Sequence, residues 1–175
     1  MSKFFRYENF LPKKLYDKIY TISRNIDWQI KTKLDGKYSN HLTHQIIDSD
    51  LKKPKLKQPY KELVDYISRK LNIKVFPHNM YFNISQYGNE CAIHKDRNTQ
   101  NTNITFILYL TEEWKSDWHG ETMLYNEEET NILFSSLPYS NNVLIFDSGL
   151  KHGISPISKF CLQDRIVLVL QLDIL

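Results

Sequence analysis

Apolar positions along the first third of the chain recur at helical spacing. Leu11-Pro12 opens a helix, with the proline near its first position, and Leu15, Ile19, Ile22 and Ile26 continue the stripe. A second stripe runs from Pro59 to Leu71, where Leu63, Ile67 and Leu71 are spaced by four. From about residue 73 the period shortens to that of strands. Short β-branched and aromatic runs alternate with Asn, Gly, Pro and Ser. Strands are predicted at 80–87, 91–96, 104–110, 120–125, 131–134, 142–147, 151–157 and 164–173. The expected class is mainly β with flanking N-terminal helices (α+β), the strands forming a jelly roll or barrel with the helices packed outside.

Two strands carry extra information. In 80–87, Tyr81, Asn83, Ser85 and Tyr87 alternate with Met80, Phe82, Ile84 and Gln86. If the apolar set faces the helices, the polar set lines an interior cavity. The run Arg165-Ile166-Val167-Leu168-Val169-Leu170 is apolar on both faces and reads as a central strand. Arg165 shares the face of Val167 and Val169.

Between the helices lies a polar stretch with Gly36 and the run Lys52-Lys53-Pro54-Lys55-Leu56-Lys57. It reads as a solvated loop, the alternative being a phosphate-binding patch. The 175 residues suit a single domain with its own core. A hydrophobic content of 41 % argues against disorder, and a net charge of +3 gives no footprint for a polyanion. No stretch approaches the ~20 apolar residues of a membrane span. The opening Met1 to Arg6 lacks an apolar h-region, and two cysteines, Cys91 and Cys161, give no disulfide framework. The expectation is a cytoplasmic protein. Arginine is scarce beside lysine, so each arginine is informative.

The candidate chemistry begins at His94-Lys95-Asp96. On a strand, positions i and i+2 project from one face, so imidazole and carboxylate could share a metal. The pattern alone is weak, since six His and eleven Asp would give about 0.4 such pairs by chance. His152 follows the apolar strand Val143-Leu144-Ile145-Phe146 and is placed to be a third ligand. Two His and one carboxylate on one face make the facial triad of non-haem Fe(II), with positions left open. A buried Arg165 must be paired, either with an internal acid or with a carboxylate ligand held inside the barrel. Tyr109 shares a face with Thr105 and could orient such a ligand, as could Tyr87. His41, His44, His78, read in a turn after Pro77, and His119 lack a matching constellation.

In this order, these pieces resemble the 2-oxoglutarate- and Fe(II)-dependent dioxygenases, in their prolyl 4-hydroxylase-like branch. The resemblance is carried by Tyr87-Gly88 before His94-Lys95-Asp96, by Thr105 to Trp114, by Trp118-His119-Gly120-Glu121-Thr122, and by Val143 to Phe146, His152 and Arg165. The segment Phe4 to Leu15 is similar to the family's lead-in strand and helix. The resemblance implies a double-stranded β-helix (jelly-roll, cupin-like) core, with 1–175 as one Fe(II)/2-oxoglutarate dioxygenase domain. Residues 1–72 would be mostly helical support and 73–175 the core. It implies Fe(II) on His94, Asp96 and His152. It pairs Arg165 with the distal carboxylate of 2-oxoglutarate, with Tyr109 and Tyr87 hydrogen-bonding to the cosubstrate. O₂ is the oxidant and ascorbate an accessory reductant.

Three departures stand out. His119 replaces a family glycine, Thr111 replaces an asparagine, and the interval from His152 to Arg165 implies an extended loop through Lys159 and Phe160.

The function expected is hydroxylation of a C–H bond, foremost of a prolyl residue in a peptide or protein partner, with release of succinate and CO₂. The polar loop Arg97 to Asn103 is a candidate grip on that substrate. A hydroxylase of free amino acids or other small metabolites is the next reading. A nucleic-acid demethylase is disfavoured, because Arg165 is followed by Ile166, Val167 and Leu168 rather than that branch's polar signature. A catalytically silent cupin-like binding module is disfavoured by the intact triad with Arg165. No membrane partner is expected, and the oligomeric state is not legible.

Overall fold

The computed structural model describes residues 4–34, 37–46, 48–96 and 103–175. The elements are β1 (Phe4–Tyr7), α1 (Lys13–Ser23), β2 (Gln29–Leu34), β3 (Lys37–Gln45), α2 (Asp48–Leu51), α3 (Pro54–Leu71), β4 (Val75–Ser85), β5 (Cys91–His94), β6 (Asn103–Tyr109), β7 (Thr122–Tyr125), β8 (Ile132–Ser136), β9 (Val143–Asp147), β10 (Lys151–Ile154) and β11 (Arg165–Ile174). Among the described residues every strand pairing is antiparallel. The strands run β1-β9-β6-β11-β4-β3 through the larger sheet and β5-β10-β7-β8 through the smaller, with β2 paired to β3. A Ser39–Cys91 pair joins β3 to β5. The result is a jelly-roll core with helices on one outer face.

The period-2 pattern sorts side chains into two cores. Phe82 and Ile84 of β4, Phe106 and Leu108 of β6, and Leu168 and Leu170 of β11 pack with Ile19 and Ile22 of α1 and Leu63 and Ile67 of α3. The opposite faces hold Ile107 and Tyr109 of β6, Val167 and Val169 of β11 and Leu144 and Phe146 of the neighbouring β9, packed with Leu124 of β7 in the smaller sheet. A one-residue slip of β11 would exchange these sets, so burial on both sides pins the register. β11 lies between β4 and β6, as its apolar run predicts.

The structure departs from the sequence reading in three places. The polar stretch between the helices is a β2–β3 hairpin whose second strand extends the larger sheet. Its alternation is too polar to signal burial. The lysine run is not a loop throughout, because α3 begins at Pro54 and takes in Lys55 to Lys57. A proline in the first turn costs no hydrogen bond there, so Pro54 starts the helix rather than preceding it. His78 lies within β4, not in a turn, and pairs with Asp173 at 3.2 Å. Among the described residues no helix is long and apolar enough to cross a membrane.

Candidate metal and carboxylate site

The site sits between the two sheets, in a cavity lined by residues of β4, β5, β6, β7, β10 and β11. His94 ends β5, and His152 stands directly opposite it on β10. This cross-strand pairing brings the imidazole centroids to 4.2 Å. Gly153 allows the approach: a Cβ there would meet the Cys91 carbonyl oxygen at 2.8 Å. Asp96 lies two residues past His94, just beyond the strand, and its backbone N–H donates to the Ser148 carbonyl at 3.2 Å.

His94, Asp96 and His152 form a cluster whose candidate ligand atoms lie within 4.8 Å of one another. The Asp96 Oδ1 atom is 3.7 Å from Nε2 of each histidine. Two atoms each ~2.1 Å from one metal lie no more than ~4.2 Å apart, so both separations suit a shared ion. The Asp96 side chain is only 4 % exposed.

Both imidazoles are held alike. Nδ1 of His94 is 2.9 Å from the Ala92 carbonyl, and Nδ1 of His152 is 3.1 Å from the Leu150 carbonyl. A carbonyl only accepts, so each Nδ1 carries the proton and each Nε2 presents its lone pair inward. The Asp96 carboxylate is fixed as well. Thr105 donates to Oδ2 at 2.5 Å, and the Ser148 hydroxyl lies 3.0 Å from that of Thr105. Oδ1 is thereby left for the cavity.

Arg165 is 1 % exposed and opens β11 on the interior face. Its Nε donates to the Gly120 carbonyl at 2.8 Å and its Nη2 to Thr122 Oγ1 at 2.8 Å. Nη1 is buried with no acceptor among the described residues. Burial pulls the guanidinium pKa below its usual value, against smaller raising effects of Tyr109, Cys91 and Glu121. An isolated buried charge is costly, and a carboxylate ligand would answer it. Tyr109 is fully buried, and its ring lies under the guanidinium at 5.6 Å. Its hydroxyl donates to Thr122 Oγ1 at 2.9 Å. Thr122 therefore accepts from both Tyr109 and Arg165, which leaves its own proton to donate into the cavity.

The structure brings His94, Asp96, His152 and Arg165 to one cavity and sets Tyr109 behind Thr122. Tyr87 departs from its expected role. It lies in the turn after β4, is 65 % exposed, and is not in the cavity lining. The interior alternation ends with β4 at Ser85, so the turn carries Tyr87 outward. Tyr81 and Asn83 do line the cavity. The loop from Arg97 lies outside the described residues up to 102. Sequence reasoning missed Thr122 and Ser148, whose partners are remote in the chain. The other histidines with described side chains face elsewhere: His44 toward Asp50, His78 toward Asp173, His119 largely to solvent.

The departures from the family pattern have physical accounts. His119 has φ +56°, a backbone that glycine adopts readily, where the family carries glycine. The Thr111 hydroxyl accepts from the Ile166 N–H at 3.3 Å, so it serves the strand next to Arg165. The long loop before Arg165 is anchored by Ile157 and Cys161, which pack on Trp114 and Trp118.

A profile of the 2OG-Fe(II) oxygenase superfamily matches residues 82–170, just over half of the chain. The chain belongs to that superfamily, whose members are oxidoreductases using Fe(II), 2-oxoglutarate and O₂. Sequence comparison with curated proteins gives no match. Among solved structures, the fold is similar to a Pseudomonas putida prolyl-4-hydroxylase (TM-score 0.72, 16 % identity, 99 % of this chain and 93 % of that one). It is also similar to a Trichoplax adhaerens prolyl hydroxylase in complex with a hypoxia inducible factor oxygen degradation domain peptide fragment (TM-score 0.71, 14 % identity, 97 % and 83 %). A third is SnoN, a non-haem alpha-ketoglutarate-dependent epimerase of nogalamycin biosynthesis (TM-score 0.71, 8 % identity, 98 % and 77 %).

Proposed function

We propose that this chain hydroxylates a substrate C–H bond, most specifically of a prolyl residue in a peptide or protein, with 2-oxoglutarate converted to succinate and CO₂. The observation that carries the reading is one cavity holding both the His-Asp-His cluster and a buried guanidinium whose Nη1 lacks an acceptor among the described residues. His94, Asp96 and His152 would hold Fe(II), which supplies the oxidising chemistry when bound. Arg165 would grip the distal carboxylate of 2-oxoglutarate. The outward proton of Thr122 would be its second donor, with Tyr109 acting through Thr122. The domain reading takes 1–175 as one oxygenase domain, with 1–72 supporting the 73–175 core. The prolyl substrate is supported by the two prolyl hydroxylases of like fold. A small-molecule substrate is the second reading, favoured by the epimerase of like fold.

The first test is anaerobic titration of the Fe(II)-loaded protein with 2-oxoglutarate. A weak visible charge-transfer band is expected, and its absence at saturating ligand would sink the proposal. Proline-rich peptides should then gain one oxygen atom with matching succinate. Turnover on free amino acids alone would move the assignment to the second reading.

Thr105 provides a further check on the metal centre. Thr105→Val keeps the shape and removes the donor to Asp96 Oδ2. Outer partners of this kind typically contribute 10–100-fold in metal affinity. Fe(II) affinity by equilibrium dialysis should fall by about that factor and recover in Thr105→Ser. Unchanged affinity would mean that Thr105 does not aim the carboxylate.

A further inference from the structure

The alternation of 80–87 places Asn83 on the interior face, and neither the metal cluster nor the Arg165 network uses it. Along β4 and β11 the register pairs Ser85 with Arg165, Asn83 with Val167 and Tyr81 with Val169. Asn83 thus lines the cavity two residues along the strand from the level of Arg165, a rise of roughly 6.6–6.8 Å, on the same face. The polar groups around it already hold one another. Tyr109 donates to Thr122, Thr122 holds Nη2 of Arg165, and Thr105 holds Asp96.

Asn83 has no such duty. Its Oδ1 is buried without a donor among the described residues. Buried side-chain polar atoms without partners are uncommon, and each calls for an explanation. Among the described residues the orphans are Asn83 Oδ1 and Arg165 Nη1, and both side chains line this one cavity. A single ligand accounts for both. An oxo dicarboxylate has only acceptors, so it satisfies Nη1 directly. A 180° turn of the Asn83 amide exchanges its oxygen for Nδ2, setting a donor where an acceptor-only ligand needs one. Of its two register partners, Val167 is apolar and Thr43 donates its hydroxyl to the Phe82 carbonyl at 3.1 Å.

We propose that Asn83 is a cosubstrate-binding residue, donating through Nδ2 to an oxygen of the 2-oxo acid whose distal carboxylate rests on Arg165. The inference rests on the 2-oxoglutarate reading above and adds a donor on the β4 wall.

The test titrates 2-oxoglutarate into full-length Fe(II)-loaded protein without oxygen, following the charge-transfer band, with Fe(II) affinity measured separately. Asn83→Leu removes the donor at similar volume, and its Kd for 2-oxoglutarate should rise about tenfold. Asn83→Asp keeps the shape but turns an anion toward an anionic ligand, so its Kd should rise further. Fe(II) affinity should stay unchanged in both. A packing role gives the opposite order, with Asp tolerated and Leu harmful. That order, unchanged Kd in both variants, or loss of metal affinity overturns the proposal. A wild-type protein without the band would instead fail the 2-oxoglutarate reading itself.

Discussion

Asp96→Ala is expected to lower Fe(II) affinity by at least about 100-fold, because removing a ligand costs more than removing an outer partner. Asp96 is the shared centre of the cluster, with Oδ1 at 3.7 Å from both Nε2 atoms. The two imidazoles keep their carbonyl partners at Ala92 and Leu150, so their tautomers survive the change. Two neutral nitrogens alone hold a dication weakly. The fold should tolerate the substitution. Asp96 lies past the end of β5, and its backbone bond to Ser148 does not depend on the side chain. Thr105 loses an acceptor but keeps Ser148. The measurement is equilibrium dialysis with Fe(II) beside thermal unfolding of the metal-free protein. Wild-type affinity in the variant would remove Asp96 from the metal site. A collapse of the melting temperature would show that the carboxylate serves the fold.

Arg165→Met is expected to separate cosubstrate binding from stability. Truncating one partner of a buried charge pair typically costs about 2–5 kcal/mol, so the Kd for 2-oxoglutarate should rise at least ~30-fold. The metal-free protein should lose little stability and could gain some. Arg165 is buried as a cation with Nη1 unanswered, and replacing an uncompensated buried charge by an apolar chain of similar length relieves that cost. Against this stand the donors lost to Gly120 and Thr122. Arg165→Lys should fall between, since an ammonium is a point charge without the planar fork that serves Gly120, Thr122 and a ligand together. Chemical denaturation without metal and the anaerobic titration give the two readouts. A Met variant that binds 2-oxoglutarate like wild type would assign Arg165 to the fold alone.

Much of this was legible beforehand because the relevant physics is local or periodic. Alternation in 80–87 assigned Tyr81 and Asn83 to the interior, where they lie. The doubly apolar run after Arg165 marked a strand buried on both faces, and β11 is that strand. Each of the eight strands expected after residue 73 has a counterpart in β4 to β11. The hairpin of β2 and β3 was not legible. Its strands mix Lys, Thr, Asn and His, and its pairing with β4 is a long-range match that no local signal announces. Tyr87 misled for a related reason. Extending the alternation two residues past Ser85 put it in the cavity, but the chain turns there.

The sequence by itself determined the residue types of the site and their order: a histidine and an aspartate two apart, a later histidine, and an arginine heading an apolar strand. Period-2 burial and the scarcity of arginine sufficed for that. Tertiary structure alone decided how they meet. Only the β5–β10 pairing sets His94 against His152, across 58 residues of chain, and only Gly153 lets those strands approach. Only the packing of β7 against the start of β11 makes Thr122 the acceptor for both Tyr109 and Arg165. Hydrogen-bond partners remote in sequence leave no period to read. For that reason the Nη1 of Arg165 and the Oδ1 of Asn83, both without partners among the described residues, emerge only when the strands are assembled.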